Sequence, residues 1–284
     1  MEIKNPILSC IESKYALYKH KLMCIPTESQ LFEDGPLNFI FRILESQKQK
    51  PNALHNNKKE KQKNPFEPPF EEHLYICELK NHHLLFNPFC ISEKHLLIVT
   101  KKFEKQETLI AKKDFEAALE CINAVKSLCF YNSGINSGAS QPHRHFQLIP
   151  IDDSKFNYIP LEKLIFSKER KKEEIIQLEE LGFINSCFIF DFDKNFLSVD
   201  HVFDSYQKIV DKLDLNEKTS YNLLLTKKWI FVVPRSKESF DNIGVNSMGY
   251  VGSFFFKTQD DLKKAIKNGP LFILQNLGFP IEKK

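Results

Sequence analysis

Residues 136–147 of this chain read Asn-Ser-Gly-Ala-Ser-Gln-Pro-His-Arg-His-Phe-Gln. Two histidines stand two residues apart, with a glutamine two further on, behind a loop of small polar residues. A strand opening at Pro142 would project His143, His145 and Gln147 from one face, because strand side chains alternate with period two. Arg144, Phe146 and Leu148 would then face the other way, where the last two can anchor the strand in a core. Upstream, Ser137-Gly138-Ala139-Ser140-Gln141 can turn successive backbone N–H groups and hydroxyls toward an anion. A nucleophilic imidazole beside an anion cradle is equipment for transferring a phosphorus group. His143 and His145 would also suit a metal, but no third His, Cys or carboxylate follows at useful spacing, so no metal site is expected.

The rest of the chain must position these groups. Its 284 residues can hold one large domain or two modest ones, with length enough for a buried core. With 42% apolar and 27% charged residues, and 26 Phe, the composition is that of a globular protein. A net charge of +3 is too small to argue a nucleic-acid partner. The seven cysteines show no Cys-x-x-Cys and no shared spacing, and read as reduced, mostly buried thiols. Met1 to Pro6 lacks an apolar signal core and no run reaches membrane-spanning length, so a soluble, cytoplasmic protein with no membrane partner is expected.

Residues 7–24 carry apolar side chains at helical spacing, and Phe39 to Leu44 reads as a strand. Ser46 to Asn64 holds six lysines and, before Asn64, only Ala53 and Leu54 as apolar residues, the pattern of a solvated loop. Strands are expected at 74–80, 83–87 and 95–100. Asp114 suits the N-cap of a helix running to about Cys129, with Phe115, Leu119, Ile122, Val125 and Cys129 on one stripe. Ser167 to Leu181 reads as a charged helix, and Ser186 to Phe203 as strand-prone. Trp229 to Ser236 echoes His95 to Lys102, and Asn246 to Phe254 echoes the glycine loop and strand of the motif without its histidines. A decayed internal duplication is the reading. It divides the chain into 1–155, with the catalytic apparatus and the 46–64 loop, and 156–284, which completes the substrate site. His82, His83 and His95 read as strand-end or turn residues, and Trp229 as core.

The motif resembles the active-site signature of diadenosine tetraphosphate phosphorylases, also called ATP adenylyltransferases, a branch of the histidine-triad and hexose-phosphate uridylyltransferase superfamily. The likeness extends to Asn64-Pro65-Phe66-Glu67-Pro68-Pro69, Leu85-Phe86-Asn87, Lys94 to Thr100, Tyr221-Asn222-Leu223, Trp229 to Arg235 and Asn246 to Lys257. It covers most of residues 35–280. It implies an α+β, histidine-triad-like fold with two pseudo-repeated halves, each an antiparallel sheet with packed helices. It also implies cleavage of diadenosine tetraphosphate with phosphate to ATP and ADP. In that reading His145 is the nucleophile, carrying a covalent adenylyl group, and His143 orients it through its backbone carbonyl. Gln147 stands where histidine-triad hydrolases carry their third histidine. An amide there cannot titrate and holds phosphate oxygens only by hydrogen bonds, which favours an acceptor that arrives ionised.

The same resemblance assigns substrate contacts to Lys50 (or Lys48), Asn87, Asn132, Gly138, Ala139, Ser140, Gln141, Gln147, Asn246, Ser247, Met248, Ser253 and Lys257. Two departures stand out: the family often has Asn-Lys where this chain has Asn87-Pro88, and Ser253 replaces a larger residue. No tightly bound cofactor is implied, although a divalent cation such as magnesium would accompany the polyphosphate. The partners implied are dinucleoside polyphosphate, ATP, ADP and phosphate, acting on a monomer or small homo-oligomer. The alternatives are a related nucleotidyltransferase using adenylyl sulfate or a sugar nucleotide, or a non-catalytic nucleotide-binding sensor.

Overall fold

The structure is a computed structural model that describes residues 5–22, 27–44, 64–151, 158–167, 170–193 and 197–281. In chain order the strands are β1 (Thr27–Asp34), β2 (Leu37–Leu44), β3 (Tyr75–Glu78), β4 (His82–Phe86), β5 (Leu96–Thr100), β6 (Ser127–Ser133), β7 (His145–Pro150), β8 (Ile175–Ile176), β9 (Ser186–Ile189), β10 (Tyr221–Leu225), β11 (Trp229–Pro234), β12 (Ser239–Phe240), β13 (Ile243–Gly244) and β14 (Ser253–Phe256). The helices are α1 (Pro6–Tyr18), α2 (Lys112–Ala124), α3 (Pro160–Ile165), α4 (Val199–Lys212), α5 (Ser247–Tyr250), α6 (Gln259–Asn268) and α7 (Pro270–Leu277). The fold is α+β.

Nine strands form one sheet in the order β3-β4-β5-β7-β6-β10-β11-β9-β8, with every neighbouring pair antiparallel. Both of its faces are covered. On one side pack α1, α2 and α4, through Ile11, Phe115, Ile122, Tyr206 and Ile209. On the other lie α3, α5, α6, α7 and a smaller sheet, β1-β2-β14, through Phe39, Phe41, Phe254, Ala265 and Ile273. Cover on both sides explains why β6, Ser127 to Ser133, is buried at every position.

Several expectations change here. The predicted helix over 114–129 starts two residues earlier, at Lys112, and ends at Ala124, where Val125 turns extended at φ −136°. The following residues become β6, with Leu128 and Phe130 in one core and Cys129 and Tyr131 in the other. A continuous apolar run is what a doubly covered strand and a buried helix have in common, so periodicity could not separate them. Asp114 sits at the third helical position rather than at the cap, its carboxylate accepting the Ala111 N–H at 2.9 Å. The described residues of 167–181 form no α-helix, only a 3₁₀ turn at Glu179–Leu181. Their charges pair instead as Arg170–Glu180 and Lys172–Asp191, and Ile175-Ile176 adds an edge strand beside β9. Among the described residues of 186–203, only 186–189 are strand, and Val199 opens α4 behind the Ser198 N-cap, whose side chain accepts the His201 N–H at 3.1 Å.

The segment that echoes the motif in sequence takes a different place in the fold. β14 pairs with β2 in parallel, whereas β7 lies between β5 and β6 in the large sheet. Among the described cysteines, 10, 77, 121, 129 and 187 are free thiols, but Cys90 is disulfide-bonded, so the reduced reading does not hold for it.

Candidate active site

The motif strand starts at His145, not at Pro142. Residues 142–144 pair instead with the segment before α2, through an isolated bridge of His143 with Lys105 and the bonds Gln106 N–H to Pro142 O and Arg144 N–H to Glu104 O. His143 is nonetheless immobilised. Its Nε2 donates to Thr100 O at 2.9 Å, and its Nδ1 accepts the Asn64 amide N–H at 2.9 Å. The ring packs against Phe66 and Phe103. Behind the strand, Arg144 pairs with Asp114 at 2.7 Å, and Phe146 and Leu148 enter the helix-side core, as alternation requires.

His145 is 3% exposed and carries the Phe66 ring against it at a centroid distance of 4.9 Å. Its Nδ1–H donates to the His143 carbonyl at 2.9 Å. That bond places the lone pair on Nε2, which has no hydrogen-bond partner among the described residues. Burial lowers the His145 pKa to about 4, so the ring is neutral and nucleophilic throughout the neutral range.

Strand register sets what surrounds this ring. His145 pairs with Val99 on β5; on β6 the pairing of Phe130 with Gln147 puts Asn132 opposite His145, and Asn132 in turn pairs with Asn222 on β10. One row of the sheet thus carries His145, Asn132 and Asn222 side by side. Between β7 and β6 the ladder opens, and the buried amide of Gln106 fills it. Gln106 Nε2 donates to Asn132 O at 2.9 Å and to His145 O at 3.1 Å, and its Oε1 accepts the His145 N–H at 2.8 Å. Asn132 Oδ1 accepts from Asn222 Nδ2, from the Ser247 N–H and from the Ser247 hydroxyl at 2.8, 3.0 and 2.7 Å. Asn222 Oδ1 accepts from the buried Arg235 at 2.6 Å, and its Nδ2 also donates to Ser137 O at 2.9 Å. The network ties the motif loop to α5 and leaves the Asn132 amide N–H group without a partner among the described residues.

The glycine loop is tighter than the sequence suggested. The N–H groups of Ser137 and Ala139 donate to Gly134 O, and that of Gly138 donates to Ile135 O, closing a 3₁₀ turn over Ile135–Ser137. The N–H groups of Ser140 and Gln141 remain unpaired among the described residues. Gly138 lines a cleft of about 300 Å³ together with Asn246, Ser253 and Lys257, so four predicted contacts from both halves meet there. Lys257 is exposed and has no ion-pair partner among the described residues, while Arg42 reaches the Ser253 hydroxyl from β2. Burial lowers the Arg42 pKa to about 10, leaving it charged at neutral pH. Ala139, Ser140 and Gln141 line a separate hollow with Lys105 and Phe103. The Met248 side chain lies in the core, and the Ser247 hydroxyl serves the network. Lys48 and Lys50 lie outside the described residues.

Residues 7–167 match the family described as Ap4A phosphorylase N-terminal domain, and residues 168–280 match ATP adenylyltransferase C-terminal domain. The chain belongs to the Ap4A phosphorylase family. Protein APA1 of Saccharomyces cerevisiae is 29% identical over 99% of this chain and 96% of that protein. Diadenosine 5',5'''-P1,P4-tetraphosphate phosphorylase 2 of the same yeast is 27% identical over 81% of this chain and 80% of that protein. The crystal structure of yeast Ap4A phosphorylase Apa2 in complex with Ap4A superposes with a TM-score of 0.81 at 24% identity, covering 99% of this chain and 100% of that one, which establishes the shared fold.

Sequence reasoning missed five members of this Ap4A phosphorylase family site. Gln106 gave no signal, since a lone Gln in a polar stretch is ordinarily solvated. Asn64, Asn222 and Arg235 stood in recognised segments without a role. His95 was read as a strand-end residue, yet it is 3% exposed and its Nε2 lies 3.0 Å from Gln147 Oε1.

Proposed function

We propose that this chain cleaves diadenosine tetraphosphate with phosphate to ATP and ADP through an adenylyl group carried on His145 Nε2. Family membership supports the reaction. The observation that carries the mechanism is the His145 Nδ1–H bond to the His143 carbonyl, at 2.9 Å, which leaves Nε2 as the free lone pair.

In the first step Nε2 attacks an α-phosphorus. The N–P bond forms, the bridging P–O bond breaks, and ATP leaves with that oxygen and the electron pair. ATP is a good anionic leaving group and needs no proton. In the second step an oxygen of orthophosphate attacks the same phosphorus from the vacated side, the N–P bond breaks, and ADP departs. Phosphate arrives ionised, whereas water would need a base, and the amide of Gln147 supplies none. Asn132 Nδ2 and the N–H groups of Ser140 and Gln141 offer neutral donors to the phosphates. Lys257 offers positive charge on the cleft holding Gly138, Asn246 and Ser253, and the buried Arg42 stands behind it, bonded to the Ser253 hydroxyl. A divalent cation such as magnesium would shield the rest of the polyphosphate chain.

Product analysis tests this reading. With phosphate, equal amounts of ATP and ADP are expected from diadenosine tetraphosphate; without it, turnover stops or yields AMP slowly. Two ADP per substrate, or phosphate-independent cleavage at full rate, would overturn it.

A further inference from the structure

We propose that His95 is a positioning residue for this reaction: held by the Asn87-Pro88-Phe89 turn, it fixes the side chain of Gln147 so that the amide N–H group, not the carbonyl, faces the transferred phosphate. The proposal rests on the site assignment above and names what orients one of its donors.

The tripeptide Asn-Pro-Phe occurs twice, at 64–66 and at 87–89. Both copies fold as the same turn, in which the Asn carbonyl oxygen accepts the backbone N–H of the Phe two residues on, at 3.0 Å for Phe66 and 2.9 Å for Phe89. A backbone N–H can only donate, so each turn settles which end of its asparagine is oxygen. The amide nitrogen is then aimed outward, and in both copies it meets a histidine. Asn64 Nδ2 lies 2.9 Å from His143 Nδ1, and Asn87 Nδ2 lies 3.4 Å from each ring nitrogen of His95.

The second copy leads to Gln147. His95 precedes β5, and the pairing of Leu97 with Gln147 makes His95 and Gln147 diagonal neighbours on one face of the sheet. His95 Nε2 lies 3.0 Å from Gln147 Oε1. A carbonyl oxygen only accepts, so Nε2 carries the hydrogen, and Nδ1 is the acceptor left for Asn87. The chain of donors runs from the Phe89 N–H to Asn87 Oδ1, from Asn87 Nδ2 to His95 Nδ1, and from His95 Nε2 to Gln147 Oε1. It ends on Gln147 Nε2, which has no hydrogen-bond partner among the described residues.

Rotating the Gln147 amide by half a turn would set its NH₂ against the ring N–H and present an oxygen to phosphate oxygens. Both contacts are repulsive while Nε2 carries the hydrogen, so the donor orientation of Gln147 goes with that tautomer of His95. Burial supports it by lowering the His95 pKa to about 4, which keeps the ring neutral and Nδ1 able to accept. A preset donor adds fixed positive potential where charge passes from leaving group to acceptor, without reorganisation during the step.

The test is a double-mutant cycle on kcat together with a resting-state spectrum. His95→Leu is expected to lower kcat on the order of tenfold to a hundredfold, the scale of a lost or misplaced donor. In a Gln147→Met background the same change should cost no more than about twofold, because the group it positions is gone. His95→Gln keeps an N–H donor and should recover most of the loss. Losses that multiply in the double variant, or full activity in His95→Leu, would overturn the proposal. Nitrogen-15 NMR of histidine-labelled wild-type protein reads the relay without any variant. A pyrrole-like Nε2 and a pyridine-like Nδ1 at His95 are expected; the reverse tautomer overturns it. That spectrum needs no turnover, so a failed reaction assignment and a failed relay show up in different measurements.

Discussion

In the role proposed for His145, two requirements of a nucleophile compete. Burial makes the ring a weaker base, with a pKa of about 4, but guarantees that it is unprotonated when a polyanion approaches. The bond to the His143 carbonyl then directs the reactive lone pair through a neutral acceptor. An acidic partner would add negative charge beside the substrate phosphates. Gln147 completes the logic, since an amide can hold an anion but cannot move a proton. Replacing Gln147 with His should therefore raise hydrolysis relative to phosphorolysis. The check is the ratio of AMP to ADP formed from diadenosine tetraphosphate in the presence of phosphate. An active variant with an unchanged ratio would move acceptor selection to the Ser140–Gln141 loop and Lys257.

At the scale of elements, the site depends on how closely α5 and the motif loop approach. Gly138 has φ +84°, and a Cβ there would lie 3.0 Å from Asn246 Cβ and 3.3 Å from Val245 O. Gly138→Ala should cost about 1–3 kcal/mol of stability, read from the shift in the chemical-denaturation midpoint, and lower kcat/KM, because the loop and Asn246 must separate. Gly244→Ala, with φ in the ordinary range and nothing within 4 Å of the added carbon, should change stability by no more than about 0.5 kcal/mol on the same measure. The contrast also shows what was legible in the sequence. β4, β5 and the helical stripe of α2 follow from their own apolar patterns, and the spacing of His145 and Gln147 gave their shared face. The strand β6 was hidden, because cover on both faces erases alternation. The Gln106 clamp and the Asn132–Asn222–Arg235 network were hidden too, because they exist only once strands distant in sequence pair. The 167–181 segment misled in the opposite way. Its charge pattern suits a helix, but Ile175-Ile176 pairs with β9 and its ion pairs reach Asp191.

For the whole molecule, the buried rings make stability depend on pH. His145 and His95 have pKa values of about 4 in the fold, against about 6.5 when unfolded. Between those values the unfolded chain binds more protons, so stability rises with pH and is lost as pH falls from about 6.5 toward 4. Burial lowers His83 and His143 as well, with the same sign. Burial opposes the charge on Asp114, but bonds from His82 and Arg144 hold its pKa below the usual value, so it contributes only at still lower pH. Lowering pH from 7 to 5 should remove about 2 kcal/mol for each of His145 and His95, by linkage. The urea midpoint at the two pH values measures this, and His95→Leu should make the dependence shallower. A midpoint that stays flat from pH 7 to 5 would contradict the burial of these rings.

The central claim is that His145 carries the adenylyl group, and the stereochemical course at phosphorus tests it most directly. Substrate made chiral at the α-phosphorus with sulfur and oxygen isotopes is converted in the presence of phosphate, and the configuration of the ADP is read. Two successive in-line displacements predict retention, together with acid-labile label on wild-type protein quenched without phosphate and none on His145→Ala. Inversion at that phosphorus, with no label on the protein, would mean that phosphate attacks the substrate directly and that His145 is not the nucleophile.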